Sequence, residues 1–501
     1  MSNQQQEYEV EADGVPARIR IVEREKDYVL NYNVDRPKVK TATEAVMKDI
    51  KKKIVEKVDL TTEEFVNARE LETVKKKFRD QAMELLEEEL PETPEQSKKI
   101  LIGNVLHEML GLGDIEILLN DQHLEEIVVN SADEPAWVYH KELGWLKSDI
   151  EFVDEDEIYN YSSDIGRRVG KNISSLHPLL DAHLPSGDRV NASLYPISTH
   201  GNTITIRKFA RDPWTITDFI ENGTVSKEVA AFLWLCMQYE MNILVSGGTG
   251  AGKTSMLNVL MPFIPPSQRV LSIEDTREVS LPEFLHWVPL TTREPNPEGK
   301  GGVSMLDLLV NALRMRPDRI LVGEVRRKRQ AEVLFEAMHT GHTVYSTLHA
   351  DTAEQTVRRL INPPINVPKT MVEAVDINLV MFRDRRRNFR RAMELAEIDL
   401  NDDATEVEAN VLYEWQSRED EMKKQADSES VYENLKMHTG MTSEEIDENL
   451  REKEDILEWM IMNDLSEVDT VGKIIAEYYS NSDKVLDVVS NDGEPSEILN
   501  N

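Results

Sequence analysis

A single cysteine, Cys236, stands in 501 residues. An internal disulfide is therefore impossible, and a Cys₄ or Cys₂His₂ zinc site is excluded; one lone thiol fits a reducing, cytosolic setting. Long apolar runs are also missing. The longest, "VAAFLWLCM" (229–237), has nine residues, against the roughly 20 that a membrane-spanning helix needs. The opening "MSNQQQEYEVEADG" is polar and acidic, which predicts no signal peptide. Positive charge is scarce: the net charge is −35, and residues 401–501 hold 28 Asp/Glu against 8 Lys/Arg. Such acidity opposes broad, nonspecific nucleic-acid binding and reads mainly as a solvated surface.

With 40% apolar and 30% charged residues the chain has the composition of a folded protein, and its length is too great for one core; three or four domains are expected. Residues 41–110 carry apolar residues at helical spacing on a charged background, with a break at "LPETPEQ" (90–96). From about 114 to 210 strand-like stretches such as "LEEIVVN", "RVNASLYPI" and "TITIRKF" alternate with turns. "ARDPWTI" (210–216) reads as a linker and hinge. Strand–helix alternation then runs from 225 to about 382, the pattern of a parallel α/β sheet. Acidic helices follow a strand at "NVLYEW" (410–415). The expected division is 1–95, a mixed and helical docking region; 96–210, an α+β domain; 211–396, an α/β domain; and 397–501, acidic and mainly helical.

"NILVSGGTGAGKTSMLNVL" (242–260) places a glycine loop between a buried strand and a helix. Gly247, Gly248, Thr249, Gly250, Ala251, Gly252, Lys253 and Thr254 fit GxxxxGK[ST]. Glycines let successive N–H groups turn inward as an anion cradle, and the helix dipole adds to it. Lys253 is expected on the β/γ-phosphates and the Thr254 hydroxyl on Mg²⁺. "ILVGEVR" (320–326) is a second buried strand that ends in Glu324, and "LSIEDTREV" (271–279) a third that ends in Glu274 and Asp275. Carboxylates at the carboxyl ends of such strands line the ligand crevice, where one can accept a water proton and another order Mg²⁺. "HTGHTVYSTLHAD" (339–351) holds His339, His342 and His349. Their spacing matches no zinc pattern. His349 is expected to sense the γ-phosphate, with His342 the weaker candidate.

In this order, the P-loop, "IEDTRE", "MRPDRILVGEVR" and "TGHTVYSTLHADTAEQTVRRL" resemble the Walker A, Asp box, Walker B and His box of the secretion ATPase superfamily. These are the hexameric motors of type II secretion, type IV pili, conjugation-type secretion and the archaellum. The likeness covers roughly 100–395. "TTREPNPEGKGGVSMLDLLVNALRMRPDR" and "INPPINVPKTMVEAVDINLVMFRDRRR" look most like the archaeal pilus and secretion branch. It implies a RecA-like P-loop ATPase core that binds ATP and Mg²⁺. "SGDRVNASLYPISTHGNTITIRKF" (186–209) is similar to the segment from which the family sends arginines to a neighbouring subunit's nucleotide. Arg189 and Arg207 fall on its positions, where guanidinium forks suit transferring phosphoryl charge. Arg314 and Arg316 are weaker candidates. With one cysteine, the four-cysteine zinc insert of the bacterial pilus branch is ruled out, and the acidic tail lies outside the motifs.

The resemblance implies a cytoplasmic ATPase at the inner face of the membrane, powering secretion or assembly of a pilus-like filament. Glu274 is the candidate general base; Thr254, Asp275 and Glu324 are the candidate metal-site residues, and Glu274 and Glu324 can exchange roles. Implied partners are five further copies in a ring, a polytopic platform protein, and indirectly a prepilin or pseudopilin system. The archaellum motor is the near alternative. A nucleic-acid motor and a non-hydrolysing scaffold are the distant ones. "FRDRRRNFRR" (382–391), a dense basic run, is expected to face the acidic tail or a partner, and the helices at 41–90 to offer a docking surface.

Overall fold

A computed structural model of the chain describes residues 4–24, 27–37, 41–57, 68–184, 186–209, 213–295, 299–387, 389–400 and 406–499. The chain divides into two compact units, Met1–Arg211 and Asp212–Asn501, fewer than composition suggests. Of the hinge expected at 210–216, residues 210–212 lie outside the described residues, as do residues 58–67 of the expected helical region.

The first unit is built on nine strands: β1 (Gln4–Ala12), β2 (Val15–Val22), β3 (Asn31–Asp35), β4 (Leu124–Val129), β5 (Trp137–His140), β6 (Gly144–Ser148), β7 (Leu179–His183), β8 (Arg189–Ser193) and β9 (Thr203–Arg207). They form one sheet in the order β1-β2-β3-β6-β5-β4-β9-β8-β7. The β1–β2 turn uses Asp13 and Gly14, both at positive φ (49° and 85°), the pair that a tight two-residue hairpin demands. Residues 1–95 are thus not set apart from 96–210: β3 pairs in parallel with β6, Asn31 opposite Lys147, and Ile19, Ile21 and Tyr32 share a core with Ile127, Val190 and Ile206. A separate cluster joins helices Thr41–Lys57, Ala68–Glu89 and Glu95–Met109 through Ile50, Ile54, Phe78, Leu85 and Val105.

The second unit carries the α/β core. Its strands are β10 (Ile243–Gly247), β11 (Arg269–Glu274), β12 (His286–Thr291), β13 (Arg319–Val322), β14 (Thr343–Leu348), β15 (Ile377–Asp384), β16 (Phe389–Leu400), β17 (Val407–Gln416) and β18 (Glu421–Lys424). The order is β12-β11-β13-β14-β10-β15-β16-β17-β18. The first six are parallel and the last three add antiparallel hairpins. Every residue of β10, β13 and β14 is buried, as expected of parallel strands covered on both faces. Ile243 and Val245 face one apolar cluster and Leu244 the other, which is the period-2 alternation of a strand packed on two sides.

The acidic C-terminal segment is not a detached domain. Its helices Ser430–Thr439, Ser443–Met462, Val468–Ser480 and Ser482–Ser490 bury Ile456, Trp459, Ile475 and Val485 in the cluster that holds the Lys227–Gln238 helix. Trp234 from that helix stacks on Phe263 at 5.1 Å and meets Tyr478 edge-on. The Trp234 indole donates to the Tyr479 hydroxyl (2.8 Å), which donates to the Phe263 carbonyl (2.6 Å). Glu397 on β16 accepts from the backbone N–H of Glu429 and Val431, pinning the start of the helical segment to the sheet. Segregation of charge explains the difference: acidic residues fill the solvent faces of amphipathic helices whose other faces are apolar.

Candidate nucleotide site

The loop between β10 and the Lys253–Leu260 helix carries the P-loop residues. Gly247, Gly250 and Gly252 adopt φ of 149°, 73° and 89°, a region that L side chains avoid. At Gly247 a Cβ would also run into the Met381 carbonyl of β15. The Lys253 side chain is folded onto the loop, donating to the carbonyls of Gly247 (3.0 Å) and Gly248 (2.9 Å). Burial pushes its ammonium below the usual lysine range, while Glu324 and Asp351 favour the charge. Thr254 is half-buried, and Thr249 lies at the exposed crest of the loop.

Three of the predicted residues meet here. His349, just beyond β14, stands 3.4 Å from the Lys253 amine through Nδ1 and 3.2 Å from Glu324 Oε1 through Nε2. Burial and the lysine charge lower the imidazole pKa, so a neutral ring protonated at Nε2 satisfies both neighbours. Glu324, one residue past Gly323 at the end of β13, also accepts from Arg326 at 2.7 Å. Arg326 reaches Asp275 at 3.4 Å, joining the acids that follow β11 and β13. Thr292 donates to Asp275.

Glu274 lies deeper, with 2% of its surface exposed. Its Oε1 accepts from the N–H groups of Glu278 (2.9 Å) and Val279 (3.1 Å), whereas Oε2 is buried with no hydrogen-bond partner among the described residues. Burial pushes its carboxyl up to about 7 against those two hydrogen bonds, the range that suits a proton acceptor at neutral pH.

Other candidates are elsewhere. His342 precedes β14 and sits against Thr340 and the Ala337 carbonyl, at the opposite end of the strand from His349. His339 closes the Lys328–His339 helix. Arg314 and Arg316 are exposed. Arg189 and Arg207 belong to the first unit, directly opposite each other on β8 and β9, so both side chains leave the same face. Asp181 pairs with Arg189 at 2.8 Å, and Glu126 stands opposite Arg207.

Sequence reasoning missed several residues. Asp351, inside the quoted His-box segment, brings a carboxylate oxygen within 3.1 Å of the Cβ position of Gly248. Arg319, read only as part of "RMRPDR", is fully buried, donating to Gln268, the Tyr345 hydroxyl and the Met237 carbonyl. The basic run divides its work. Arg391 meets the acidic segment through Asp420 at 2.7 Å, as expected, but Arg383 and Arg390 lie on the P-loop instead. Arg390 Nε donates to the Gly250 carbonyl at 3.2 Å. No local signal could reveal this, because pairing of β15 with β10 creates the proximity.

Residues 108–437 match the model of the family described as type II/IV secretion system protein. An uncharacterized protein of Methanocaldococcus jannaschii, MJ0900, is 39% identical over 335 residues, covering 66% of this chain and 59% of that protein; the chain thus spans less than two thirds of that relative. The type IV secretion system protein PtlH of Bordetella pertussis is 32% identical over 300 residues, covering 54% of this chain and 87% of PtlH. Among solved structures, the VirB11 ATPase of the Brucella suis type IV secretion system is 26% identical with a TM-score of 0.30, covering 56% of this chain and 90% of VirB11. On a family match across most of its length, in which the glycine loop, both acidic strand ends and His349 all lie, the chain belongs to the type II/IV secretion system protein family.

Proposed function

We propose that the protein is a Mg²⁺-dependent ATPase motor that drives type II/IV-type secretion or assembly of a pilus-like filament. The observation that carries this reading is the meeting of Lys253, Glu324 and His349 beside a glycine cradle. The residues fit the nucleotide: three positive-φ glycines shape an anion cradle, and Lys253 rests on carbonyls it can exchange for phosphate oxygens. They also fit the metal, since Thr254, Asp275 and Glu324 offer the oxygen donors that a hard cation takes. When bound, Mg²⁺ neutralises phosphate charge.

The chain's own groups then have distinct tasks. The loop amides and Lys253 bind and orient the polyphosphate. His349 links Lys253 to Glu324, so displacement of the amine toward a phosphate is felt at the acid. Glu274, buried and poised near neutrality, accepts a proton from water through its unpartnered Oε2. A scaffold that hydrolyses nothing gains nothing from such a strained acid. Arg189 and Arg207 complete a neighbouring subunit's site in a head-to-tail ring of six. Among the described residues no helix is long and apolar enough to cross a membrane. In this reading the motor acts at the cytoplasmic face through a polytopic platform protein, with prepilins or pseudopilins served indirectly.

Phosphate release per subunit, measured with Mg²⁺ over a range of protein concentrations, tests the reading. The expected rate rises steeply with concentration and is lost in Lys253→Ala and Arg207→Ala. A rate that stays flat and ignores Arg207→Ala rejects the shared site; no hydrolysis in any condition rejects the motor.

A further inference from the structure

The β15–β16 hairpin carries six arginines within residues 382–391 of an acidic chain. Its turn is tied by Asp384, which accepts from the N–H groups of Arg386 (2.8 Å) and Arg387 (3.0 Å). Arg391 is committed to structure, forked onto Asp420 and stacked 4.7 Å over Phe389. Arg383 and Arg390 are placed differently. Arg383 Nη1 lies 2.8 Å from where a Cβ on Gly250 would stand, and Arg390 Cδ lies 3.1 Å from the equivalent point on Gly252. Both glycines have positive φ, so the loop is bare where the two side chains approach.

Charge makes this placement informative. The loop already holds Lys253 and the positive end of a helix. Two further guanidiniums beside it add donors that suit the oxygens of a polyphosphate. The order β14-β10-β15 puts the hairpin on one side of the loop strand, while Glu324 and His349 follow strands on the other side.

We propose that Arg383 and Arg390 are nucleotide-binding residues that act in cis, closing on the phosphates from the side of the loop opposite Glu324 and His349. Each guanidinium donates charge-assisted hydrogen bonds to phosphate oxygens, and the hairpin forms the second wall of the site. The proposal rests on the P-loop reading above and deepens it.

The test uses the full chain and a fluorescent methylanthraniloyl derivative of ADP with Mg²⁺. Arg383→Ala and Arg390→Ala are each expected to weaken binding by roughly tenfold to a hundredfold, the value of a hydrogen bond to a charged group. Arg383→Lys and Arg390→Lys are expected to recover part of the loss, because charge remains without the fork. Arg385→Ala and Arg386→Ala, on the turn, leave binding unchanged. The melting temperature without nucleotide is expected to stay level in all six variants, while the nucleotide-induced rise shrinks only for positions 383 and 390. Binding equal to wild type in the two alanine variants overturns the proposal and leaves the motor reading intact. A lowered nucleotide-free melting temperature with no rescue by lysine overturns it in favour of a purely structural role. Loss of binding to a thirty-nucleotide single-stranded DNA, with ADP binding kept, overturns it in favour of nucleic acid. If wild type binds no nucleotide and Lys253→Ala changes nothing, both readings fall together.

Discussion

Glu274→Gln isolates the conflict between stability and chemistry at this site. The carboxyl is 2% exposed and pushed by burial from its usual 4.5 to about 7. A folded-state pKa above the unfolded one means that folding takes up a proton between those values. Stability is therefore lost as pH rises from about 4.5 to 7, and stays lost above. Each pH unit crossed costs about 1.4 kcal/mol. Relative to low pH, the buried acid thus costs about 1.4 kcal/mol at pH 5.5, where folding takes up a proton, and about 3 kcal/mol at pH 8.5, where the acid is buried ionised. Glutamine carries no such dependence, and its carbonyl still accepts from the N–H groups of Glu278 and Val279. Its advantage over glutamate should grow by about 2 kcal/mol between the two pH values, or roughly 4 °C in melting temperature for a unit of this size. Scanning calorimetry of nucleotide-free wild type and variant at both pH values measures it, and the same variant should release no phosphate. A melting difference that does not change with pH, or a glutamine variant less stable at pH 8.5, would refute the reasoning.

Gly247→Ala forces a Cβ into the Met381 carbonyl at a φ that alanine avoids; urea unfolding should show a loss of about 2 kcal/mol or more, with nucleotide binding lost as well. Arg319→Met leaves the Tyr345 hydroxyl, the Met237 carbonyl and Gln268 without their buried donor, so the urea midpoint should fall by the equivalent of about 3 kcal/mol. Lys453 is fully buried between Trp234 and Tyr478, and burial pushes its amine down to about 7. Its charge costs stability that is regained as pH rises from about 7 to 10.5, so Lys453→Met should raise the melting temperature at pH 7 and much less at pH 10.

The parts of the molecule legible in the sequence are those whose determinants are contiguous. β10, its glycine loop and the following helix occupy one stretch of 18 residues, and hydrophobic runs mark β11, β13 and β14 directly. Long-range pairing is what remained hidden. Nothing near Asn31 announces that it will lie beside Lys147, so residues 4–35 looked separate from the sheet they complete. Nothing near Arg383 announces the P-loop 130 residues earlier, because register between β10 and β15 is set by burial of both strands. Arg319 illustrates another limit. A charged residue beside exposed Arg314 and Arg316 looks like surface until Tyr345 and Met237 close around it. The tail misled through its average: a strongly negative segment still carries one apolar stripe per helix, and the stripe decides where it packs.

That stripe imposes two rules of change on one segment. Along Ser443–Met462, Ile446, Ile456, Leu457 and Met460 are held by the core they share with Trp234, and a polar replacement at any of them opens the floor beneath the Lys227–Gln238 helix. Glu444 and Glu448 on the exposed side answer to no such core neighbour. Descendants of this sequence can therefore rewrite the outer surface of the tail, its charge and its docking partners, while inheriting its inner face nearly intact.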